Sequence, residues 1–342
     1  MNISAQNKTA TVADTTPLHT LADTLSQDMK AVNAIILDKM HSDVPMIPEL
    51  AGHLIAAGGK RLRPMLTVAS AQMAGYEGGE RHYNLAACVE FIHTATLLHD
   101  DVIDESDQRR GRATANTIFG NEAAVLVGDF LFSRAFQLMV ADGSLDVLRI
   151  LSDASAIISE GEILQLTTAN NIKTTEAQYI QVATSKTAAL FAAACEVGGI
   201  VANADPAVTK ALYDYGLNMG IAFQIADDVL DYTADGAKLG KAVGDDFKEG
   251  KMTLPLIYAI QQANDDERAF WSQVITKGEG RGEDEALSRA IKLCQTHDTF
   301  NAALNMAKLY RNNAIGALDQ VPDHPLKSQF LDIADYVINR SL

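Results

Sequence analysis

From Leu18 onward, apolar residues recur at three- and four-residue spacing, in segments such as Leu85 to Ile103, Ala123 to Val140, Thr175 to Val201, Val208 to Tyr232 and Thr253 to Asn264. That spacing returns side chains to one face of a helix, whereas a half-buried strand would alternate at every second residue. No convincing strand series occurs, so the chain is predicted to be all-α. The breaks between helices are short and carry turn residues, as at Gly58-Gly59, Gly78-Gly79, Gly143-Ser144, Asp205-Pro206 and the glycine-rich stretch 277–282. None is long enough to separate domains. Residues 1–17 are polar and lack helical periodicity, which predicts a frayed leader ahead of one domain over residues 18–342.

The balance of 47% apolar and 21% charged residues is that of a globular chain and sets aside disordered and fibrous classes. A formal charge of −16 argues against a nucleic-acid partner, because phosphate backbones reward clustered Lys and Arg, and it should also be repelled by acidic membranes. Cys88, Cys195 and Cys294 are odd in number and far apart, a pattern of neither disulfides nor a zinc site. The first twenty residues have no apolar core behind a basic start, and no run reaches the roughly 18 consecutive apolar residues of a membrane span. A cytoplasmic protein without stable membrane insertion is expected.

One short acidic motif occurs twice. Asp100-Asp101-Val102-Ile103-Asp104 and Asp227-Asp228-Val229-Leu230-Asp231 each close a strongly apolar helical stretch. Residues four apart lie about 40° apart in projection, so Asp100 stacks with Asp104, and Asp227 with Asp231, one helical turn apart. Two carboxylates about 4 Å apart repel by roughly 4 kcal/mol at an effective dielectric near 20. A hard divalent cation resolves that repulsion, and magnesium, which is commonly held by one or two carboxylates plus substrate phosphates, suits so sparse a set. A solvated acidic helix end is the bland alternative for either motif alone; two copies, each beside basic residues, favour the metal.

Arg109 and Arg110 follow the first motif, and guanidinium forks suit bidentate phosphate recognition. Gly58-Gly59-Lys60-Arg61-Leu62-Arg63-Pro64 joins a turn to three cations but lacks the spacing of a Walker loop. His93, seven residues before Asp100, returns to nearly the same face two turns deeper, which suggests a substrate contact; His99 lies off that line and reads as structural. Further polar candidates are Lys186-Thr187 in an alanine-rich helix, Gln224 just before the second motif, and Lys241 and Lys251 just after it.

Taken together these residues resemble the trans-polyprenyl diphosphate synthases. The resemblance runs from about Asp28 to the C-terminus and rests on Gly59-Lys-Arg-Leu-Arg-Pro64, Glu90-Phe-Ile-His93 leading into Asp100-Asp101, Arg109-Arg110-Gly111, Val127-Gly-Asp-Phe130, Ser185-Lys-Thr187 and Phe223-Gln-Ile-Ala-Asp227. It is strongest toward bacterial octaprenyl-type enzymes. It implies a single large helical bundle around a central cavity, a homodimer, and isopentenyl and allylic diphosphates as substrates. By resemblance, Asp100, Asp104 and Asp231 would hold Mg2+, with Asp101, Asp227 and Asp228 completing or supporting the clusters. Arg109, Lys186, Gln224, Lys241 and Lys251, with Thr187 in the same motif as Lys186, would contact the allylic diphosphate, and Lys60, Arg63, His93 and Arg110 would seat isopentenyl diphosphate.

The resemblance also makes the fifth and fourth residues before the first aspartate, Ala95 and Thr96, the upper gate of a product tunnel. Both are small, whereas short-chain enzymes block this level with an aromatic ring, so a product well beyond farnesyl is expected. Helical geometry supports Thr96, one turn beneath Asp100; Leu138 and Met139 are candidates for the floor or for ordinary core. A long apolar product should leave slowly, so detergent or phospholipid is expected to accelerate turnover, and an unchanged rate would count against this. A terpene cyclase, a non-catalytic subunit and a calcium-binding helical protein are the rival readings; the isopentenyl-seating cations, both complete triads and the lack of an EF-hand loop argue against them in turn.

Overall fold

The computed structural model describes residues 16–56, 59–109, 111–233 and 243–339, and these are almost wholly helical. Helix α1 spans Pro17–Thr24, and Thr16 caps it by accepting the His19 amide. The last residues of the expected leader therefore belong to α1; residues 1–15 lie outside the described residues. Then come α2 (Ser26–Lys39), α3 (Met46–Ala56), α4 (Leu62–Met73), α5 (Arg81–Ile103), α6 (Ala115–Phe119), α7 (Asn121–Asp142) and α8 (Leu145–Thr168). A hairpin of two two-residue strands, Gln108–Arg109 and Arg112–Ala113, follows α5. The alternation rule could not have found strands that short.

The stretch Thr175–Val201, read as one helix from its periodicity, is α9 (Glu176–Ala183), a π-helical turn (Thr184–Ala188) and α10 (Ala189–Val201). Thr175 and Gln178 form a reciprocal capping box that starts it. Next are α11 (Pro206–Thr233), α12 (Asp245–Glu249), α13 (Leu254–Gln262), α14 (Asp265–Trp271), α15 (Asp284–Thr296), α16 (Thr299–Ala317) and α17 (Pro325–Asn339).

Nearly every side chain of α10 is buried, as its all-round apolar sequence Ala189-Leu-Phe-Ala-Ala-Ala-Cys195 demands of a central helix. It packs against α4, α8 and α11. Contact with α11 is backbone to backbone: a Cβ on Gly216 would come 2.4 Å from the Phe191 carbonyl oxygen, and one on Gly220 2.6 Å from Ala188 Cα. One core cluster joins α1, α2, α4, α5, α7, α8, α10 and α17, and a second joins the far half of α11 to α13–α16. Helix α11 is the seam between them, and it carries the second acidic motif on its last turns.

Candidate active site

A cavity of about 1060 Å³ opens where the C-terminal ends of α5 and α11 approach one another. Asp100 and Asp104 reach it from α5, and Asp227, Asp228 and Asp231 from α11. Both sets sit at the negative end of a helix macrodipole, which adds to their mutual repulsion and to their appetite for cations. Burial pushes the Asp100 carboxyl up to about 6; Lys186 opposes the rise, and Glu162 and Asp104 add to it. Asp228 is buried, and its carboxyl is driven well above the usual range by burial first and the Asp246 charge second.

Lysines answer this charge directly. Lys186, on the π turn, donates to Glu162 at 2.7 Å and to Gln165 at 2.9 Å and stands 3.8 Å from Asp100. Lys251 donates to Asp104 at 2.9 Å and pairs with Glu249. Burial acts most strongly on the Lys251 ammonium and pulls it down, but Asp246, Asp104 and Glu249 together hold it above its ordinary value. A relay of short hydrogen bonds ties the π turn to the second motif: Thr187 donates to Gln224 at 2.6 Å, Gln224 to Asp228 at 2.6 Å, and the Tyr179 hydroxyl to the other Asp228 oxygen at 2.5 Å.

Across the cavity lies a cationic wall. Lys60 and Arg63 line it at the entry to α4 and His93 on α5, with Arg63 Nη1 3.2 Å from His93 Nε2 and the guanidinium 4.1 Å over the Phe191 ring. Lys60 lies 6.0 Å from the centre of the Tyr336 ring on α17.

Most residues singled out in the sequence therefore meet in one place. Asp101 does not line the cavity; it is buried behind it and holds Arg109, which does. Thr96 lines the cavity, its hydroxyl bound to the His93 carbonyl, whereas Ala95, Leu138 and Met139 are buried in the core away from the lining. Arg110 and Lys241 lie outside the described residues. Sequence reasoning missed Glu162, Gln165, Tyr179 and Asp246, and gave no role to Glu90 and Arg61 although both stand in its motifs; all six line the cavity. Glu162 and Gln165 stand three apart on α8, a spacing that puts both on one helix face.

Among the described residues no three His, Cys, Asp or Glu side chains converge to hold a metal by themselves. The donors on the rim are all hard carboxylate oxygens, which fits a magnesium ion that takes its remaining ligands from a diphosphate and from water.

The polyprenyl synthetase sequence profile matches residues 44–294. Octaprenyl diphosphate synthase of Escherichia coli is 46% identical over 94% of this chain and 99% of its own length. That of Haemophilus influenzae is 45% identical over 92% and 94%. Among solved structures, a decaprenyl diphosphate synthase from Rhodobacter capsulatus superposes with a TM-score of 0.91 at 54% identity, covering 95% of this chain and 100% of that one. A Caulobacter crescentus polyprenyl synthase complexed with calcium and isoprenyl diphosphate also gives 0.91, at 46% identity over 96% and 100%.

Proposed function

The chain belongs to the polyprenyl synthetase family, and from that membership we propose that it condenses isopentenyl diphosphate with an allylic diphosphate such as farnesyl diphosphate into a long all-trans chain of octaprenyl length, destined for a quinone side chain. The observation that carries this reading is the meeting of two acidic helix ends and a separate cationic wall on one cavity. The acidic side suits a metal-bound allylic diphosphate and the cationic side a second, metal-free diphosphate.

Magnesium bound by Asp100, Asp104 and Asp231, with Asp227 beside them, would supply Lewis-acid stabilisation of the charge on the departing diphosphate. Lys186, Lys251 and Arg109 add fixed positive charge at the same place, and Lys241 joins them in this reading. Such groups accelerate ionisation only by gripping the leaving group more strongly as the carbon–oxygen bond breaks. Thr187 and Gln224 hold the π turn against α11, so Lys186 keeps its aim. Lys60, Arg63, His93 and Arg110 seat isopentenyl diphosphate, whose double bond attacks the allylic cation and forms the new carbon–carbon bond. Loss of a proton to the released diphosphate then restores an allylic diphosphate for the next round. Thr96, with Ala95 behind it, leaves the first tunnel level open to a growing chain.

Helix α7 turns Leu126, Phe136 and Val140 outward, and α8 turns Ile163 and Leu166 outward. Helix α7 is long and apolar enough to cross a membrane by length and composition. Its outer face also carries Asp129 and Arg134, and a face of this kind is suited to a second copy of the chain in a cytoplasmic homodimer. Sedimentation of the parent and of Leu126→Glu tests this; equal, monomeric mass for both excludes it.

The function itself is tested by incubating the protein with farnesyl diphosphate, labelled isopentenyl diphosphate and magnesium, with and without EDTA, and sizing the dephosphorylated products. A ladder ending near eight units and abolished by EDTA is expected. A stop at farnesyl or geranylgeranyl length would refute the open tunnel, and absence of condensation would restore the cyclase reading.

A further inference from the structure

The residue just before α4 has a backbone normally reserved for glycine. Arg61 sits at φ 48° and ψ 32°, the left-handed region, and makes no capping hydrogen bond with its side chain. L-residues avoid this region because Cβ crowds the following carbonyl, and such outliers persist only where the surroundings over-determine them. What holds Arg61 is Glu90 on α5: the two form an ion pair in which the Glu90 side chain is only 8% exposed. One helical turn further along α5, His93 meets Arg63. The entry of α4 is therefore pinned to α5 at two points, by residues 61 and 63 against residues 90 and 93.

The two pins differ in kind. Arg63 and His93 belong to the cationic wall. Glu90 is a carboxylate lining the same cavity, and an unpaired anion there would repel an incoming diphosphate. We propose that the Arg61–Glu90 pair is a positioning device for the isopentenyl diphosphate seat. It locks the left-handed turn that aims Lys60 and Arg63 into the cavity, and it cancels the Glu90 charge beside them. The proposal rests on the assignment of Lys60, Arg63 and His93 to isopentenyl diphosphate.

Cancellation makes an unusual demand on double mutants. Arg61→Ala frees the turn and exposes the Glu90 charge; adding Glu90→Gln removes that charge and should recover part of the loss, a non-additivity that marks an acting pair. Arg61→Gly separates backbone from side chain, because glycine accepts the left-handed turn without strain but offers Glu90 nothing.

The test is steady-state kinetics of the full chain with each substrate varied in turn, alongside far-UV circular dichroism to confirm folding. Arg61→Ala and Arg61→Gly are expected to raise the KM for isopentenyl diphosphate roughly 10-fold or more while the KM for the allylic diphosphate stays within about two-fold. Arg61→Ala/Glu90→Gln should fall between Arg61→Ala and the parent. A parental isopentenyl KM in Arg61→Gly, or a double variant worse than Arg61→Ala, overturns the proposal; if Arg61→Ala does not fold, Arg61→Gly alone decides. Arg63→Ala tests the underlying assignment: if it leaves the isopentenyl KM unchanged, the seat is wrongly placed and the proposal falls with it. If it raises that KM while Arg61→Gly does not, the seat stands and only the positioning role fails.

Discussion

Asp101 faces away from the cavity and grips Arg109: the guanidinium Nε donates to both carboxylate oxygens, at 2.9 and 3.2 Å, and Nη2 donates to one of them at 2.7 Å. The middle member of the first acidic motif thus holds an arginine fork at the cavity wall, where the proposed reading seats the allylic diphosphate. Asp101→Asn keeps the shape and loses the charge, so kcat/KM for the allylic diphosphate should drop about 10- to 100-fold, the equivalent of the ~1.5–3 kcal/mol of a hydrogen bond to a charged group. Arg109→Lys should be no better, because an ammonium cannot reproduce the fork. Steady-state kinetics with the allylic substrate varied checks both, and an Asp101→Asn enzyme with parental kcat/KM would contradict the arrangement.

Asp100 links pH to stability. Its folded value, raised by burial to about 6 from 3.8, means that the folded state binds a proton which the unfolded state has released between those two values. Stability therefore rises as pH falls through that window, and above about pH 6 the metal-free protein carries the full penalty of a buried charge. Asp100→Asn should melt about 2–5 °C above the parent at pH 7.5, with the gap closing toward pH 4. Melting curves without metal decide this; a gap unaffected by pH would refute it.

Thr96 stands on the cavity wall one turn below Asp100. Thr96→Phe puts a ring where the proposed reading sends the growing chain, so the product ladder should stop several isoprene units earlier while the first condensation proceeds at near the parental rate. Chromatography of dephosphorylated products reads the outcome directly. An unshortened ladder would remove Thr96 from the path of the chain.

Gly161 lets α8 touch the π turn. A Cβ there would lie 2.7 Å from Ser185 Cβ and 2.8 Å from the Lys186 backbone nitrogen. Gly161→Ala should cost about 1–3 kcal/mol from overpacking and displace Lys186 from Glu162, lowering kcat together with thermal stability. A variant that melts normally and turns over normally would show that the neighbours can give way.

Helix identity was readable in the chain because each long helix buries one face. The apolar pattern of Leu85 to Ile103 ends with α5, and that of Val208 to Tyr232 lies inside α11. The acidic motifs were readable because each set of carboxylates is local, four residues apart on one helix. Glu162 and Gln165 escaped because their partner, Lys186, is more than twenty positions away and reaches them only through the close approach at Gly161. Ala95 and Thr96 are neighbours in sequence but about 100° apart around α5, so one is core and the other cavity wall. The π turn left no trace, since its residues suit an ordinary helix equally well.

That turn makes the number of residues between Thr175 and Val201 as strict a requirement as their identity. Upstream, the capping box at Thr175 anchors α9, and downstream α10 is packed on every side. With both ends held, a missing residue can be absorbed only in the turn itself. Deleting one position between 184 and 188 would tighten the bulge into regular helix and swing the lysine by about 100° relative to its neighbours. A substitution within 184–188 keeps the lysine's aim, whereas the loss of one residue there would carry Lys186 away from Glu162 and Asp100.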